Sequence, residues 1–334
     1  MSVKLLSPEL EETLYCSRFS GVVQMKLHGQ ICLEHVAGQK RLDGGQPIEL
    51  STRFSVASIT KMFTAVCVMQ LVEQGTVGLD ATLVSYLPEI EGKLPAGVTV
   101  DGLLTHRSGL GDYLDDDAAL PFVDMPVEQL DHVRAFLPYV LDVQLHEPGR
   151  FRYSSAGYVL LGLLIEKVTG LSYQDAVKQM ILEPAELSQS GFDAMDAPEL
   201  DFAMGVLDDG QSNLTHLPAI GGPDGGILTN VTDLVAFWEW LNTRSGLRRE
   251  YLELFWDKVT VHNPSVAYGR GFDVLTFADQ TWCGHTGSDP GISARVVFAR
   301  ESDSHIIVLC NRSSIAFKTF RLIRDALINR PPNG

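Results

Sequence analysis

Several features are scarce in this chain, and each shortage removes a class of protein. No apolar run approaches the roughly 18 residues that a membrane-spanning helix needs. Basic residues are few, since 26 Lys and Arg stand against 42 Asp and Glu and leave a formal net charge of −16. No basic cluster is long enough to follow a phosphate backbone, so we expect no membrane and no nucleic acid among the partners.

Cysteine occurs only five times and without a C-x-x-C spacing. That pattern predicts reduced thiols, with no disulfide framework and no zinc site, and we expect neither a metal nor another cofactor. The first ten residues contain Pro8 and acidic residues but no continuous apolar segment, which predicts the absence of a signal peptide. The protein is therefore predicted to be cytoplasmic, or periplasmic if a leader has been removed, and its oligomeric state stays open.

What the chain does contain is Ser58 three residues before Lys61, at the start of an apolar run over 62–72. In a helix, residues i and i+3 share a face, so the amine would reach the hydroxyl. A desolvated lysine there accepts the proton of the serine and makes it a nucleophile. The tetrapeptide alone is a weak signal, because about one S-x-x-K is expected by chance in a chain of this length.

The order of predicted elements indicates an α+β protein. A β-hairpin is predicted over 21–36, and strands over 280–286, 292–300 and 305–311, which short turns would pair antiparallel. Helical patterns cover 58–75, 127–141, 156–169, 234–241 and 317–328. We expect an antiparallel sheet flanked by helices, with residues 1–78 and 220–334 forming a discontinuous sheet domain, residues 79–219 a mainly helical inserted domain, and the active site between them.

Two further segments combine polar side chains with a rigid setting. Tyr153-Ser154-Ser155 follows a Pro-Gly turn and precedes a helical pattern, and Gly284-His285-Thr286-Gly287-Ser288 closes the first of the late strands. Taken singly, a buried tyrosine and a bulge in an edge strand would explain them. Their order after Ser58 and Lys61 is what makes them informative.

Together the three segments resemble the penicillin-recognising serine hydrolases, in particular the class C β-lactamase and D-alanyl-D-alanine carboxypeptidase branch. That branch carries S-x-x-K, Y-x-N and K-T-G or H-T-G on the β-lactamase/transpeptidase-like fold. The flanks at 53–61, 103–110, 157–162 and 224–227 match as well, and the resemblance runs from about residue 18 to 328. One position departs from the pattern: Ser155 stands where the branch has Asn and offers one donor on a shorter reach.

The resemblance implies acyl transfer. Ser58 would attack the carbonyl of a small ester, amide or lactam and form an acyl-enzyme. Lys61 and Tyr153 would share the proton transfer, with the Tyr153 pKa brought towards neutrality by the neighbouring cation and the general base left unassigned between them. The main-chain N–H groups of Ser58 and Ser288 would form the oxyanion hole.

The same resemblance assigns substrate binding to Ser155, His285, Thr286 and Gly287. With an ordinary pKa of about 6.5, His285 would be partly charged at neutral pH and would attract a substrate carboxylate, to which Thr286 adds a hydroxyl. His106 in the 103–110 flank is predicted to hold a loop in place and not to act in catalysis.

Several functions stay open on this evidence. Within the serine hydrolases they are a carboxypeptidase or esterase, a dedicated β-lactamase, and a D-amino-acid peptidase. From another class, a non-catalytic ligand-binding or scaffold protein would reuse the same fold. The joint presence of Ser58, Lys61 and Tyr153 favours an enzyme that acts on a small molecule, but it does not say whether β-lactams are hydrolysed or only bound.

Overall fold

A computed structural model describes residues 7–16, 19–42, 44–95, 97–115, 125–195 and 201–329. The described residues contain an eight-stranded sheet and a two-stranded sheet. In chain order the strands are β1 (Gly21–Leu27), β2 (Gln30–Ala37), β3 (Phe54–Ser55), β4 (Leu228–Thr229), β5 (Thr260–Asn263), β6 (Val266–Tyr268), β7 (Asp273–Phe277), β8 (Gln280–Asp289), β9 (Ile292–Ala299) and β10 (His305–Cys310).

The large sheet has the spatial order β2-β1-β10-β9-β8-β7-β6-β5, and its neighbouring strands all pair antiparallel. Strand β1 pairs with β10 in a register that sets Gly21 opposite Cys310, so the two ends of the chain meet inside the sheet. The small sheet joins β3 to β4 and stands directly before the segment that carries Ser58. The predicted antiparallel sheet built from both ends of the chain is confirmed.

Helices cover both faces of the sheet. They are α1 (Pro8–Glu11), α2 (Thr60–Glu73), α3 (Val100–Leu104), α4 (Leu137–Val140), α5 (Ser155–Thr169), α6 (Tyr173–Val177), α7 (Val231–Thr243), α8 (Arg249–Trp256) and α9 (Ile315–Ile328). Short 3₁₀ turns lie at Ala57–Ile59, Leu83–Ser85, Pro88–Ile90, Val127–Gln129, Val133–Phe136 and Leu214–His216, and π turns at Glu12–Cys16 and Lys178–Leu182.

The strand alternation divides the apolar interior into two cores. Successive residues of a strand point to opposite faces, and β10 shows this directly. Ile306 belongs to the core that α1 and α9 cover, together with Ile323. Its neighbour Ile307 belongs to the larger core under α2, α5 and α7, which includes Phe63. The sheet is therefore the middle layer of three, and α2 brings its first turn to the face opposite the two terminal helices.

The predicted helix over 127–141 is wrong. The chain there forms two 3₁₀ turns and the single turn of α4, because Pro138 lacks an N–H and its ring clashes with the carbonyl four residues earlier. Strands β5, β6 and β7 were not predicted, since each has only three to five residues and too few alternations to show a period. The division into two domains at 78/79 and 219/220 stays a prediction.

Candidate active site

Ser58 lies in a 3₁₀ turn at the entrance to α2, and not inside the α-helix. The turn begins at Ala57, whose φ of 47° is in the left-handed region that a non-glycine residue seldom adopts. Thr60 holds it in place: its hydroxyl donates to the Ala57 oxygen at 2.7 Å and accepts from the Ile227 N–H at 3.0 Å. The strained turn leaves the Ser58 side chain only half-buried, at the wall of a cavity.

Strand β8 passes directly behind this turn. A Cβ on Gly287 would lie 2.1 Å from the Val56 main-chain oxygen, so only glycine allows the strand to come so close. Ser288, the next residue of β8, lines the same cavity as Ser58. The two main-chain N–H groups predicted to form the oxyanion hole thus belong to two segments that are in contact.

Lys61 is fully buried and its Nζ has three oxygen partners. They are Ser58 Oγ at 3.1 Å, Ser155 Oγ at 3.3 Å and the Asp224 main-chain oxygen at 2.6 Å. Burial lowers the Lys61 pKa from its ordinary value, and the negative charges of Asp224, Asp112 and Asp289 act in the opposite direction. The net effect favours the neutral amine beside the serine.

Tyr153 stands on the other side of Lys61. The centre of its ring lies 5.0 Å from Lys61 Nζ, and 36% of the residue is exposed. Burial of the phenol raises the Tyr153 pKa well above 10, while a hydrogen bond with Ser58 acts against that rise. The expected shift of this pKa towards neutrality is wrong: desolvation and the negative charges of nearby aspartates outweigh the hydrogen bond with Ser58, and the resting phenol is protonated.

Ser154 and Ser155 begin α5. Ser154 is the N-cap, and its hydroxyl accepts from the Gly157 N–H at 3.2 Å. The Ser155 N–H donates to Asp112 Oδ2 at 2.7 Å, which leaves its hydroxyl directed at Lys61. Asp112 was not singled out in the sequence, and its position just after the 103–110 flank was the only signal for it.

A chain of hydrogen bonds runs behind the site from α5 to β8. The Ser154 N–H donates to His106 Nδ1 at 3.1 Å, and His106 Nε2 lies 3.1 Å from the Tyr268 hydroxyl. That hydroxyl lies 3.3 Å from His285 Nε2, and His285 Nδ1 lies 2.6 Å from the Thr286 oxygen. A carbonyl only accepts and a main-chain N–H only donates, so one proton arrangement satisfies every link, with both imidazoles neutral.

His285 is accordingly uncharged at neutral pH. Burial lowers its pKa to about 4, and the charge of Asp273 only partly opposes this. The expectation of a partly protonated imidazole fails because that residue is 2% exposed. The Thr286 hydroxyl accepts from the Arg295 guanidinium, which also forms an ion pair with Asp273. Both groups predicted to hold a carboxylate are thus engaged inside the protein.

The cavity at Ser58 has a volume of about 400 Å³. Apolar side chains such as Phe136 and Leu217 form part of its wall, and neither His285 nor Thr286 is among the described residues that line it. Two carboxylates do line it, those of Asp224 and Asp289. The Asp224 carboxylate accepts from the Tyr113 hydroxyl at 2.6 Å, and no sequence pattern had indicated Asp289.

Among the described residues, no group of three or more His, Cys, Asp and Glu side chains is arranged to hold a metal ion. None of the described helices combines the length and the apolar character needed to cross a bilayer.

The amino-acid sequence is similar to those of several known proteins. A sequence model of the family described as Beta-lactamase matches residues 18–329. Penicillin-binding protein 4* of Bacillus subtilis is 27% identical over 313 residues, 88% of this chain and 68% of that protein. A D-aminopeptidase of Cereibacter sphaeroides is 25% identical over 323 residues, 94% of this chain and 61% of that protein. The chain thus spans 68% of the length of the first relative and 61% of the length of the second.

A solved structure shows the fold directly. The crystal structure of a penicillin binding protein from Bacillus halodurans matches with a TM-score of 0.86 at 30% identity, over 95% of this chain and 99% of that one. The β-lactamase/transpeptidase-like fold predicted from the sequence is confirmed by this likeness.

Proposed function

The chain belongs to the beta-lactamase family of serine hydrolases, and we propose that it cleaves a small ester, amide or lactam through an acyl-enzyme on Ser58. The observation that carries the proposal is the buried Lys61 amine, 3.1 Å from Ser58 Oγ and with its pKa lowered. A solvated surface lysine would be protonated and unable to accept the serine proton.

The three partners of Lys61 support its role as the general base. A neutral amine has two N–H donors and one lone pair. The Asp224 oxygen is a carbonyl and only accepts, so it takes one N–H, and Ser155 Oγ takes the second. The lone pair is then left for Ser58, whose hydroxyl proton passes to Nζ as Oγ bonds to the substrate carbonyl carbon.

The remaining residues complete the cycle. The carbonyl oxygen of the substrate becomes an oxyanion between the N–H groups of Ser58 and Ser288. Tyr153, with its raised pKa, holds a proton within reach of Ser58 and delivers it to the leaving group, regaining one through Lys61. Water then attacks the acyl-enzyme with Lys61 again as base, which releases the acid and restores Ser58.

Of the substrate classes that the sequence left open, one is favoured over the others. The relative named a D-aminopeptidase supports a D-amino-acid peptidase, and the relatives named penicillin-binding proteins support a carboxypeptidase or a β-lactamase. The neutral His285 removes the charge that a carboxylate-bearing substrate would need, which favours the first class. A small molecule is the proposed partner, and a cytoplasmic location stays a prediction.

The decisive experiment compares the protein with its Ser58→Ala variant. We expect the wild type to hydrolyse p-nitrophenyl acetate and to react with a fluorophosphonate probe, and the variant to do neither. Ser85→Ala is the matched control, since Ser85 is exposed and its hydroxyl donates only to the Thr82 oxygen at 2.6 Å. Equal labelling of wild type and Ser58→Ala would refute Ser58 as the nucleophile, and a wild type that neither turns over nor reacts would indicate a binding protein on this fold.

A further inference from the structure

Asp289 presents a carboxylate to the cavity that no described residue bonds. Asp289 lines the cavity with Ser58 and Ser288, and neither a hydrogen bond nor an ion pair joins its carboxylate to another side chain or main-chain group of the described residues. Burial and the negative charge of Asp224 raise its pKa to about 7, while Lys61 acts in the opposite direction. A half-buried carboxylate without a partner has a free-energy cost, so its place in the cavity wall needs an explanation.

The charge of the cavity wall is of one sign. Asp224 and Asp289 are its charged side chains, and no Lys, Arg or His lies among the described residues that line it. The nearest basic side chain is Lys61, whose pKa burial lowers and whose amine Ser155 and the Asp224 oxygen engage. His285 is neutral, and Arg295 is held by Asp273 and Thr286. A cation is therefore favoured in this cavity and an anion is disfavoured.

The position of Asp289 in the chain indicates which kind of cation the cavity would bind. It follows Ser288, whose main-chain N–H is the proposed donor to the scissile carbonyl oxygen, so its side chain leaves the backbone one residue beyond that oxygen. In an amino-acid amide or ester the ammonium nitrogen is two bonds from the carbonyl carbon, about 2.5 Å away. Because Asp289 lines the same cavity as Ser58 and Ser288, its carboxylate shares the space that such a group would enter.

We propose that Asp289 binds the ammonium group of an amino-acid amide or ester beside the carbonyl that Ser58 attacks, with Asp224 supplying a second negative charge. Asp289 is then a specificity-determining residue that separates substrates with a free amine from N-acylated ones. The assignment rests on the proposed function, because it takes the carbonyl position from the Ser58 and Ser288 site.

Binding to the Ser58→Ala protein tests this assignment without any turnover. The ligands are phenylalaninamide, in each enantiomer, and the matching N-acetyl-phenylalaninamide, which has the same side chain without the charge. We expect calorimetry to show at least about tenfold tighter binding of the free amine for the preferred enantiomer. Asp289→Asn in the same background should reduce that preference to less than about threefold.

Asp279→Asn is the matched control. It removes the same charge at the other end of β8, on an exposed turn where φ is 56°, which Asn also adopts. The control should keep the preference. Equal or tighter binding of the N-acetyl ligand, or a preference that survives Asp289→Asn, overturns the proposal. Because Ser58 is absent throughout, these results are independent of whether the wild type hydrolyses p-nitrophenyl acetate, which tests the proposed function.

Discussion

Lys61 Nζ lies 2.6 Å from the main-chain oxygen of Asp224, nearer than it lies to the serine that it is proposed to deprotonate. The short bond directs one N–H of the amine at Asp224 and not at Ser58. Together with the Ser155 bond it fixes the rotation of the amine about its Cε–Nζ bond. The Lys61 amine is thereby oriented as well as desolvated, which is what a general base requires.

Lys61→Arg should abolish most hydrolysis. A guanidinium keeps its proton at any working pH and is too large for the fully buried amine site, so it offers Ser58 no lone pair. We expect kcat/KM for p-nitrophenyl acetate to fall by about 10²–10⁴-fold. Lys178→Arg, on an exposed side chain, is the control and should retain full activity. A Lys61→Arg protein that is folded by circular dichroism and retains more than a tenth of the activity would contradict the assignment.

The acid limb of the pH–rate profile should report Lys61. Only the neutral amine accepts a proton, so kcat/KM rises as the pH passes upward through the Lys61 pKa, which lies below its ordinary value. In Ser155→Ala one acceptor of the ammonium is lost. The charged form is then less stable, the pKa falls further, and the limb moves to lower pH. A limb that stays in place or moves to higher pH would exclude this role for Ser155.

The parts of the site that the sequence revealed are the local ones. Ser58 and Lys61 are three residues apart, so a single turn brings them together whatever the rest of the chain does. The pKa directions at Tyr153 and His285 were predicted wrongly, because they depend on burial by segments distant in sequence. Asp289 was missed for the same reason: a carboxylate at the end of a strand becomes informative only once the cavity wall around it is known.

Tyr268→Phe should destabilise the protein by about 1–3 kcal/mol, since it leaves two buried imidazole nitrogens without their partner. His106 and His285 are 1% and 2% exposed, so water cannot replace the lost hydroxyl. Urea denaturation at neutral pH measures the loss. Tyr139→Phe is the control, because no described residue bonds that hydroxyl and the residue is only half-buried. A difference between the two variants below about 0.5 kcal/mol would mean that the chain of hydrogen bonds contributes nothing to stability.

Asp289→Asn should stabilise the free protein at alkaline pH. The Asp289 pKa is raised from 3.8 to about 7 in the folded state, so the folded state binds the proton more tightly than the unfolded chain does. This preference contributes its full stability below pH ~4 and is lost as the pH rises through about 7. Asn does not titrate and keeps the uncharged form at every pH. Because the Asp289 side chain is only half-buried, we expect a gain of about 1–2 kcal/mol at pH 8 and none at pH 4.

The unfolding free energy of Asp289→Asn relative to wild type should therefore grow between pH 4 and pH 8, measured by urea denaturation without ligand. Asp279→Asn, on an exposed side chain, is the matched control and should change the unfolding free energy by less than about 0.5 kcal/mol. If the difference in unfolding free energy between Asp289→Asn and wild type does not change with pH, the carboxylate is solvated in the folded protein. That result would contradict an unpaired negative charge at this position. A rising difference, together with weaker binding of the free amine, would show one residue that lowers stability and confers specificity through the same charge.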